Sequence, residues 1–250
     1  MGIISTYAES SNSEGMEQIP TLSWDDFLSQ FTWWQGEHLT CIGPTKAGKT
    51  TLMHELLSKC SRDGTHPWHV LIATKRKDEV LDTFKPDGFI TIPDWTVSDY
   101  ELSPKVMLAP PLPSAADKEI QRTEIRKALN SIYHQGGWLV YLDELKHIAT
   151  YLKLEPEVEL LMHQGRSAGI TVCSGVQRPR HVPLMAYDQT THLFLWESRD
   201  HNIRKRLAEL GGRADPELVM HGVSNLSGHE FLYVNPTTGE VVKSEVEKGK

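Results

Sequence analysis

Short apolar runs recur along the chain, and the segments between them place apolar residues every three or four positions. A continuous apolar run is typical of a strand buried on both faces of a parallel sheet. Such strands are predicted at residues 38–43, 69–74, 89–93, 105–110, 138–144, 170–176 and 192–198. The last segment, EFLYVNPTTGEVVKSEVE, predicts a β-hairpin with its turn at residues 235–239.

Helical periodicity fills the intervals between these strands. Ser23 is a suitable N-cap for the first helix, and Gly211 and Gly212 end the helix at residues 200–210. Helices are predicted at residues 24–31, 49–61, 76–84, 114–134, 156–165 and 200–210. Strands that alternate with helices predict an α/β fold, a three-layer sandwich with a mostly parallel sheet covered on both faces.

Composition divides the chain into a tail and one domain. Residues 1–20 are polar and rich in Ser and Glu, so they are predicted to be disordered. Residues 21–250 are predicted to form a single domain, with 213–250 as a C-terminal helix and β-hairpin extension. No apolar run approaches the roughly 20 residues that span a bilayer, and the start lacks a secretory signal, so we expect a cytoplasmic protein without a membrane.

The net charge of −7 argues against a protein that coats nucleic acid with a basic surface. It is compatible with an oligomeric ring whose positive charge is confined to a central channel. Cys41, Cys60 and Cys173 are far apart and match no zinc spacing, so they are interpreted as reduced thiols.

The segment GPTKAGKT, from Gly43 to Thr50, matches the phosphate-loop pattern G-x-x-x-x-G-K-[ST] in full. Successive backbone N–H groups form a concave site for polyphosphate, Lys49 supplies a positive charge for the β- and γ-phosphates, and the Thr50 hydroxyl is a Mg²⁺ ligand. An apolar strand precedes the motif and a helix follows it, as this mechanism requires. The predicted nucleotide-binding residues are Gly43, Pro44, Thr45, Lys46, Ala47, Gly48, Lys49, Thr50 and Thr51.

The strand WLVYLDE ends in two acids, Asp143 and Glu144. Carboxylates at the end of an apolar run are costly unless a function uses them. Asp143 is therefore predicted to hold Mg²⁺, and Glu144 to activate the attacking water as a general base. The alternative is an ordinary transition from strand to loop. The chain has no N-K-x-D guanine signature, so ATP is preferred to GTP.

The segment HQGRSAGITVCSGVQRPRHVP, residues 163–183, follows these acids. Together with GPTKAGKT and LVYLDE, its GR-x-x-GI-x-V and Q-R-P elements resemble the HerA/FtsK superfamily of ring-forming DNA-pumping ATPases. The likeness covers roughly residues 38–200 and is strongest to the packaging ATPases of phi29-like phages. It implies an ASCE, RecA-like P-loop fold, a homo-oligomeric ring (pentamer or hexamer), double-stranded DNA as a partner and a capsid portal as a possible second partner.

The resemblance also implies roles for two residues. Arg166 matches the position of an arginine finger that reaches the ATP of the neighbouring subunit, and an always-charged guanidinium suits that role. Gln177 matches the polar sensor of the γ-phosphate. A surface arginine at a helix end, and a glutamine that only satisfies backbone groups, are the alternatives. The chain departs from larger members of the superfamily because it shows no long N-terminal barrel domain and no nuclease carboxylate cluster.

Three basic clusters are candidates for contact with DNA phosphates. They are Lys75, Arg76 and Lys77; Arg178 and Arg180; and Arg204, Lys205 and Arg206. Each of these clusters is also compatible with a solvated surface, and the first two with a subunit interface. Trp33 and Trp34 are candidates for stacking on adenine, with a core or interface position as the alternative.

The predicted function is an ATPase motor that translocates double-stranded DNA into a viral capsid. A motor for conjugation, phage assembly or export would share Lys49, Asp143 and Glu144 and is the first alternative. A nucleotide-gated binding protein with slow turnover is the second. A small-molecule kinase is the third, although the sequence shows no evident acceptor signature.

Overall fold

The computed structural model describes residues 18–63, 68–75, 81–96, 103–111, 117–177 and 188–247. The strands are β1 (His38–Ile42), β2 (Trp68–Ile72), β3 (Ile90–Ile92), β4 (Lys105–Leu108), β5 (Trp138–Leu142), β6 (Thr171–Val176), β7 (Thr190–Trp196), β8 (Glu230–Val234) and β9 (Val241–Glu245). The α-helices are α1 (Trp24–Gln30), α2 (Lys49–Asp63), α3 (Asp117–Gln135), α4 (Glu155–Gln164), α5 (His201–Leu210) and α6 (Pro216–Ser224). Short 3-10 segments cover Leu81–Asp87 and Gly165–Ala168, and a π-helical turn covers His147–Tyr151.

The nine strands form one sheet in the order β3-β4-β2-β5-β6-β1-β7-β8-β9. Every neighbouring pair from β3 to β7 is parallel, and β8 and β9 are antiparallel. Because β6 lies between β1 and β5, the residues that follow these three strands meet at one edge of the sheet. Ligands of open parallel sheets bind at this carboxyl edge.

Both faces of the sheet are covered, as the continuous apolar strands predict. On one face, α3, α4, α5 and α6 pack on a cluster that includes Val70, Val140 and Val172. On the other face, α1 and α2 pack on a cluster that includes Leu71, Leu139 and the buried thiols of Cys41 and Cys173. Alternate residues of one strand therefore serve opposite layers, as the period of two along a strand requires.

Several predicted boundaries shift in the structure. The predicted strand 138–144 ends at Leu142, so Asp143 and Glu144 lie in the turn that follows. The predicted helix 76–84 falls partly on residues 76–80, outside the described residues, and continues as a 3-10 segment that contains Pro86. Proline lacks the N–H that a longer α-helix would use at that position.

The predicted C-terminal hairpin extends the sheet. Strand β8 pairs with β7, and the Asn235 side chain accepts hydrogen bonds from the N–H groups of Thr237 and Thr238 in the turn. The start of the described chain lies along β9, because the Lys243 N–H donates to the Pro20 carbonyl at 2.8 Å. Residues 1–17, most of the predicted tail, lie outside the described residues.

None of the helices in the described residues has the length and apolar character that a bilayer span requires.

His38, at the start of β1, joins β1 to two neighbouring elements. Its side chain is 2% exposed, its Nδ1 accepts from the Val172 N–H at 3.0 Å, and its Nε2 donates to the Met162 carbonyl at 3.0 Å. Burial lowers the pKa of His38 from 6.5 to about 4. The folded protein therefore holds this ring neutral, whereas the unfolded chain takes up a proton below pH 6.5.

We expect this histidine to make stability depend on pH. Because the folded pKa lies below the unfolded value, the stabilisation is complete above pH 6.5 and is lost as pH falls toward 4. Between about pH 7.5 and about pH 5, His38 alone should cost about 2 kcal/mol of unfolding free energy. Urea denaturation at both values should show a smaller loss for His38→Gln, which does not titrate, than for wild type. The exposed His163→Gln is the control, and an equal loss in all three proteins would contradict this assignment.

Candidate nucleotide-binding and hydrolysis site

The predicted phosphate loop connects the end of β1 to the start of α2, at the carboxyl edge of the sheet. Its backbone turns at Lys46, with φ of 67°, and at Gly48, with φ of 105°. The Gly43 N–H donates to the Val176 carbonyl at 3.0 Å, which ties the loop to the end of β6. A positive φ is readily available to glycine, so Gly48 allows the last turn before the helix.

The C-terminal hairpin supports the phosphate loop. Sequence reasoning missed this contact between the hairpin and the loop. Val246 lies against Gly48, where an added Cβ would come within 3.2 Å of its side chain. His229 donates through Nδ1 to the Ala47 carbonyl at 3.1 Å. Residues 229–246, within the predicted 213–250 extension, are therefore part of the site's framework. Their contacts are more than 180 residues away in sequence from the loop, and no local pattern signals them.

Lys49 closes the loop in this structure. Its ammonium donates to the carbonyls of Gly43 and Pro44 at 2.8 and 2.7 Å. Burial lowers the pKa of Lys49, and the nearby Lys75 acts in the same direction, whereas Asp143 and Glu144 oppose them. A partly buried ammonium that donates to carbonyl oxygens is a favourable partner for an incoming polyphosphate, because the anion adds negative charge beside it.

Thr50 and Asp143 come together from different elements. The Thr50 hydroxyl at the start of α2 donates to Asp143 Oδ1 at 3.2 Å, and the Tyr141 hydroxyl donates to the same oxygen at 2.6 Å. Burial, together with Asp143, raises the pKa of Tyr141, so this phenol remains a donor. A hydroxyl and a carboxylate side by side fit Mg²⁺, which prefers oxygen ligands and shares its shell with phosphates and water.

Tyr141 was not predicted as a site residue, although it lies two positions before Asp143. Alternation along β5 places both side chains on the same side of the strand, and that spacing is the signal that could have identified it.

Glu144 and Gln177 form a bridge to the phosphate loop. Gln177 follows β6 and donates through Nε2 to Glu144 Oε1 at 2.9 Å. Its amide oxygen accepts from the Thr45 hydroxyl of the loop at 3.3 Å. The glutamine can span the two groups because β6 lies between the strands that precede the loop and the acids. The predicted sensor and the predicted general base are thus in direct contact.

The turn that holds the acids needs a glycine on the neighbouring strand. A Cβ added to Gly175 would lie 2.4 Å from the Asp143 carbonyl oxygen, closer than real atoms approach. Glycine at this position lets β6 pass directly beneath the acidic turn. Sequence reasoning assigned no role to Gly175, because a glycine within a strand does not reveal which backbone approaches it.

Lys75 belongs to this site in the structure. The sequence placed it among candidate DNA contacts, but its ammonium lies 3.3 Å from Asp143 Oδ2 and 3.0 Å from Glu144 Oε1. It follows β2, the strand next to β5, and so reaches both acids from the side opposite Gln177. This cation offsets the repulsion between the two carboxylates.

Arg166 lies at the amino-terminal ends of the parallel strands, opposite the carboxyl edge that holds the phosphate loop. It precedes β6 and packs against Gly36, which precedes β1, and its side chain is exposed. The phosphate loop follows β1, so the length of a five-residue strand, about 16 Å, separates Arg166 from Lys49 of the same chain. Trp33 is 6% exposed and packs on Phe31, whereas Trp34 at the same edge is 69% exposed.

The remaining basic candidates are only partly described. Arg76, Lys77, Arg178 and Arg180 lie outside the described residues. Arg204, Lys205 and Arg206 lie on α5, where Arg206 pairs with Glu209 at 3.1 Å on the surface.

Solved structures share this fold over most of the chain. The DNA-packaging ATPase B204 from Sulfolobus turreted icosahedral virus matches 86% of this chain and 100% of its own, with 16% identity and a TM-score of 0.64. The genome packaging NTPase B204 from Sulfolobus turreted icosahedral virus 2, in complex with AMPPCP, matches the same shares with 14% identity and a TM-score of 0.65. The bacterial conjugative coupling protein TrwBdeltaN70 matches 86% of each chain, with 11% identity and a TM-score of 0.58.

No protein-family model and no curated protein sequence matches the chain. At 11 to 16% identity, the structural likeness shows that the chain has the fold of these proteins. The α/β fold class with a mostly parallel sheet, predicted from the sequence, is therefore confirmed.

Lys75 should compete with a metal for the two acids. In Lys75→Met the cation is absent, so Mg²⁺ meets more negative charge, and the Mg²⁺ concentration that supports half of ATP binding should fall several-fold. Calorimetric titrations of ATP at stepped Mg²⁺ concentrations measure this change. Lys85→Met removes a lysine that pairs with Asp82 on the surface and should leave the Mg²⁺ dependence unchanged. An unchanged dependence in Lys75→Met would show that this lysine does not compete with the metal.

Proposed function

We propose that the chain is an ATP-hydrolysing motor that translocates double-stranded DNA, and that it packages a viral genome into a capsid. The proposal is carried by the hydrogen-bonded bridge from Thr45 through Gln177 to Glu144, beside the pair of Thr50 and Asp143. This arrangement combines a phosphate cradle, metal ligands and a general base at one sheet edge. The likeness in fold to a viral DNA-packaging ATPase, over 86% of the chain, supports DNA as the translocated partner.

ATP is the proposed substrate, bound by the loop at residues 43–51. The Lys49 ammonium would leave the Gly43 and Pro44 carbonyls and contact the β- and γ-phosphates. Thr50 and Asp143 would hold Mg²⁺, which when bound neutralises charge on the phosphate oxygens. A neighbour that was solved in complex with AMPPCP supports nucleotide binding by this fold.

Glu144 is the proposed general base for hydrolysis. A water oxygen bonds to the γ-phosphorus while the water proton passes to the Glu144 carboxylate. The bond from that phosphorus to the oxygen bridging the β-phosphate breaks, and ADP leaves with the bonding electrons. Gln177 is a positioning residue, because it donates to Glu144 and contacts the loop through Thr45. A γ-phosphate bound at the loop would thus affect the position of Glu144 through the Gln177 side-chain amide.

Arg166 is proposed to complete the site of a neighbouring subunit. It is exposed, and it lies at the opposite sheet edge from Lys49. A head-to-tail interface between identical subunits brings opposite edges together and closes into a ring. The exposed ring of Trp34 lies at the same edge and is available to that interface. A pentamer or hexamer, a capsid portal as docking partner and a host-cytoplasm setting are further parts of this proposal.

A motor for conjugation is the alternative that a specific observation favours. The likeness to a conjugative coupling protein extends over 86% of both chains. The two candidates differ in their partners. Stimulation of turnover by a capsid portal would favour packaging, whereas stimulation by DNA without any effect of a portal would favour the alternative.

Glu144→Gln should separate binding from hydrolysis. We expect duplex DNA to raise the steady-state ATP turnover of wild type and ATP to drive displacement of a third strand from a DNA triplex. In Glu144→Gln turnover should fall about a hundredfold or more, since a general base contributes about that much, and strand displacement should stop. ATP binding measured by calorimetry should stay within a few-fold of wild type. Glu155→Gln changes an exposed acid and should behave as wild type.

Two outcomes would contradict the proposal. Steady turnover in Glu144→Gln would remove this residue as the base. Turnover in wild type that never displaces the third strand would exclude a DNA translocase and favour a nucleotide-gated switch.

Mixed rings test the role of Arg166. Arg166→Ala and Lys49→Ala should each lose turnover, because one lacks the finger and the other lacks the phosphate contact. In a random mixture, about a quarter of the interfaces join an intact Lys49 to an intact Arg166 from the next subunit, so activity should return. If Arg166 acted within its own subunit, every mixed ring would remain inactive. Arg213→Ala, another exposed arginine, should keep turnover by itself.

A further inference from the structure

A cavity of about 580 Å³ opens beside the hydrolysis residues. Its walls include three lysines, Lys118, Lys146 and Lys153, and the ring of Tyr151. Glu144 and Gln177 line the same cavity. Among the described residues that line it, none belongs to the phosphate loop, so this space is distinct from the proposed ATP cradle.

The π-helical turn after β5 positions Lys146 and Lys153, whereas Lys118 lies in the first turn of α3. Leu145, Ile148 and Leu152 are fully buried under it, while Lys146 and Lys153 are exposed. Lys153 adopts a left-handed backbone with φ of 56°, which is costly for a residue with a side chain and persists only where the surroundings require it. The following Leu154 N–H donates to the Ala149 carbonyl at 3.0 Å and holds this conformation.

The charge of the cavity is unbalanced. Within the described part of the chain, no carboxylate pairs with Lys118, Lys146 or Lys153 within salt-bridge distance, although Lys118 lies over the Tyr151 ring at 3.9 Å from its centroid. Glu144, the acid in the wall, is already bound by Lys75 and Gln177. Three lysines that form no salt bridge with a carboxylate of the described residues, in a chain of net charge −7, indicate a site for an anion.

We propose that this cavity binds backbone phosphates of the translocated DNA, with the three lysines contacting phosphodiesters and Tyr151 packing against the adjoining deoxyribose. The inference rests on the proposed function and names where that function meets its DNA. Lysines bind phosphates as point charges without reading sequence, as a motor that moves any sequence requires. The volume lies within the range of about 300–1,000 Å³ that is usual for ligand sites.

The position of this site places bound DNA next to the residues proposed to hydrolyse ATP. Glu144 and Gln177 form the wall between the cavity and the phosphate loop, and their hydrogen bond is 2.9 Å long. A phosphodiester in the cavity brings negative charge beside Glu144 and beside Gln177, the residue that donates a hydrogen bond to Glu144. DNA bound here therefore acts on the general base through its immediate neighbours, without a longer chain of contacts.

The test compares DNA binding by two double variants with equal loss of charge. In the first, Lys146→Gln and Lys153→Asn remove both exposed lysines, and asparagine tolerates the left-handed backbone at 153. In the control, Lys85→Gln and Lys127→Gln remove two exposed lysines that belong to none of the candidate DNA-contact clusters. Binding of a short fluorescein-labelled DNA duplex is followed by fluorescence anisotropy, with AMPPCP and Mg²⁺ present, over a series of salt concentrations.

The cavity variant should bind DNA about tenfold more weakly, and the slope of log affinity against log salt should decrease by about 2, one for each lost phosphate contact. The control should keep the affinity and the slope of wild type. If DNA affinity fell equally in both variants, the loss would result from the change in overall charge, and the proposal would be wrong.

Three other results are informative. If wild type hydrolyses ATP but binds no duplex, the proposed function fails, and the cavity proposal fails with it. If wild type binds DNA and the cavity variant binds it equally well, only the cavity proposal fails. If a fluorescent ATP analogue occupies two sites per wild-type chain and one in the cavity variant, while DNA affinity is unchanged, the anion is a free nucleotide and the proposal is wrong.

Discussion

Two adjacent carboxylates at the end of a buried strand are stable only where cations or donors face them, and the candidate site is arranged around this constraint. Asp143 receives the hydroxyls of Thr50 and Tyr141, and Glu144 receives the amide of Gln177. Lys75 contacts both acids. These partners come from four separate elements, which meet only because parallel strands end at a common edge.

The order of the strands decides which side chains of the site contact one another. With β6 between β1 and β5, Gln177 stands between the phosphate loop and the proposed general base and contacts both. The other side of that base faces the lysine-lined cavity. In the proposed motor, the Glu144 carboxylate therefore lies next to both the nucleotide site and the DNA site. A short rearrangement of side chains is enough to couple the binding of nucleotide to the binding of DNA.

In the proposed ring, the two ends of the parallel strands carry different parts of each active site. The carboxyl edge carries the cradle and the acids, and the opposite edge carries the exposed side chains of Arg166 and Trp34. A single subunit cannot bring these edges together, whereas a head-to-tail ring of identical subunits does so at every interface. The C-terminal hairpin adds rigidity at the nucleotide edge, where Val246 and His229 support the loop.

The sequence by itself determined the α/β class and the position of the phosphate-loop motif, and it predicted roles for Asp143 and Glu144, because each depends on local periodicity or on a contiguous motif. Only the tertiary structure decided that Lys75 and Tyr141 join the acids, that Gly175 must leave room for the Asp143 carbonyl, and that β8 and β9 support the loop. It also placed Arg166 at the end of the strands opposite Lys49 and gathered three lysines from α3 and the turn after β5 into one cavity. The physical reason is that these contacts join residues far apart in the chain, and strand order rather than sequence spacing sets which side chains meet.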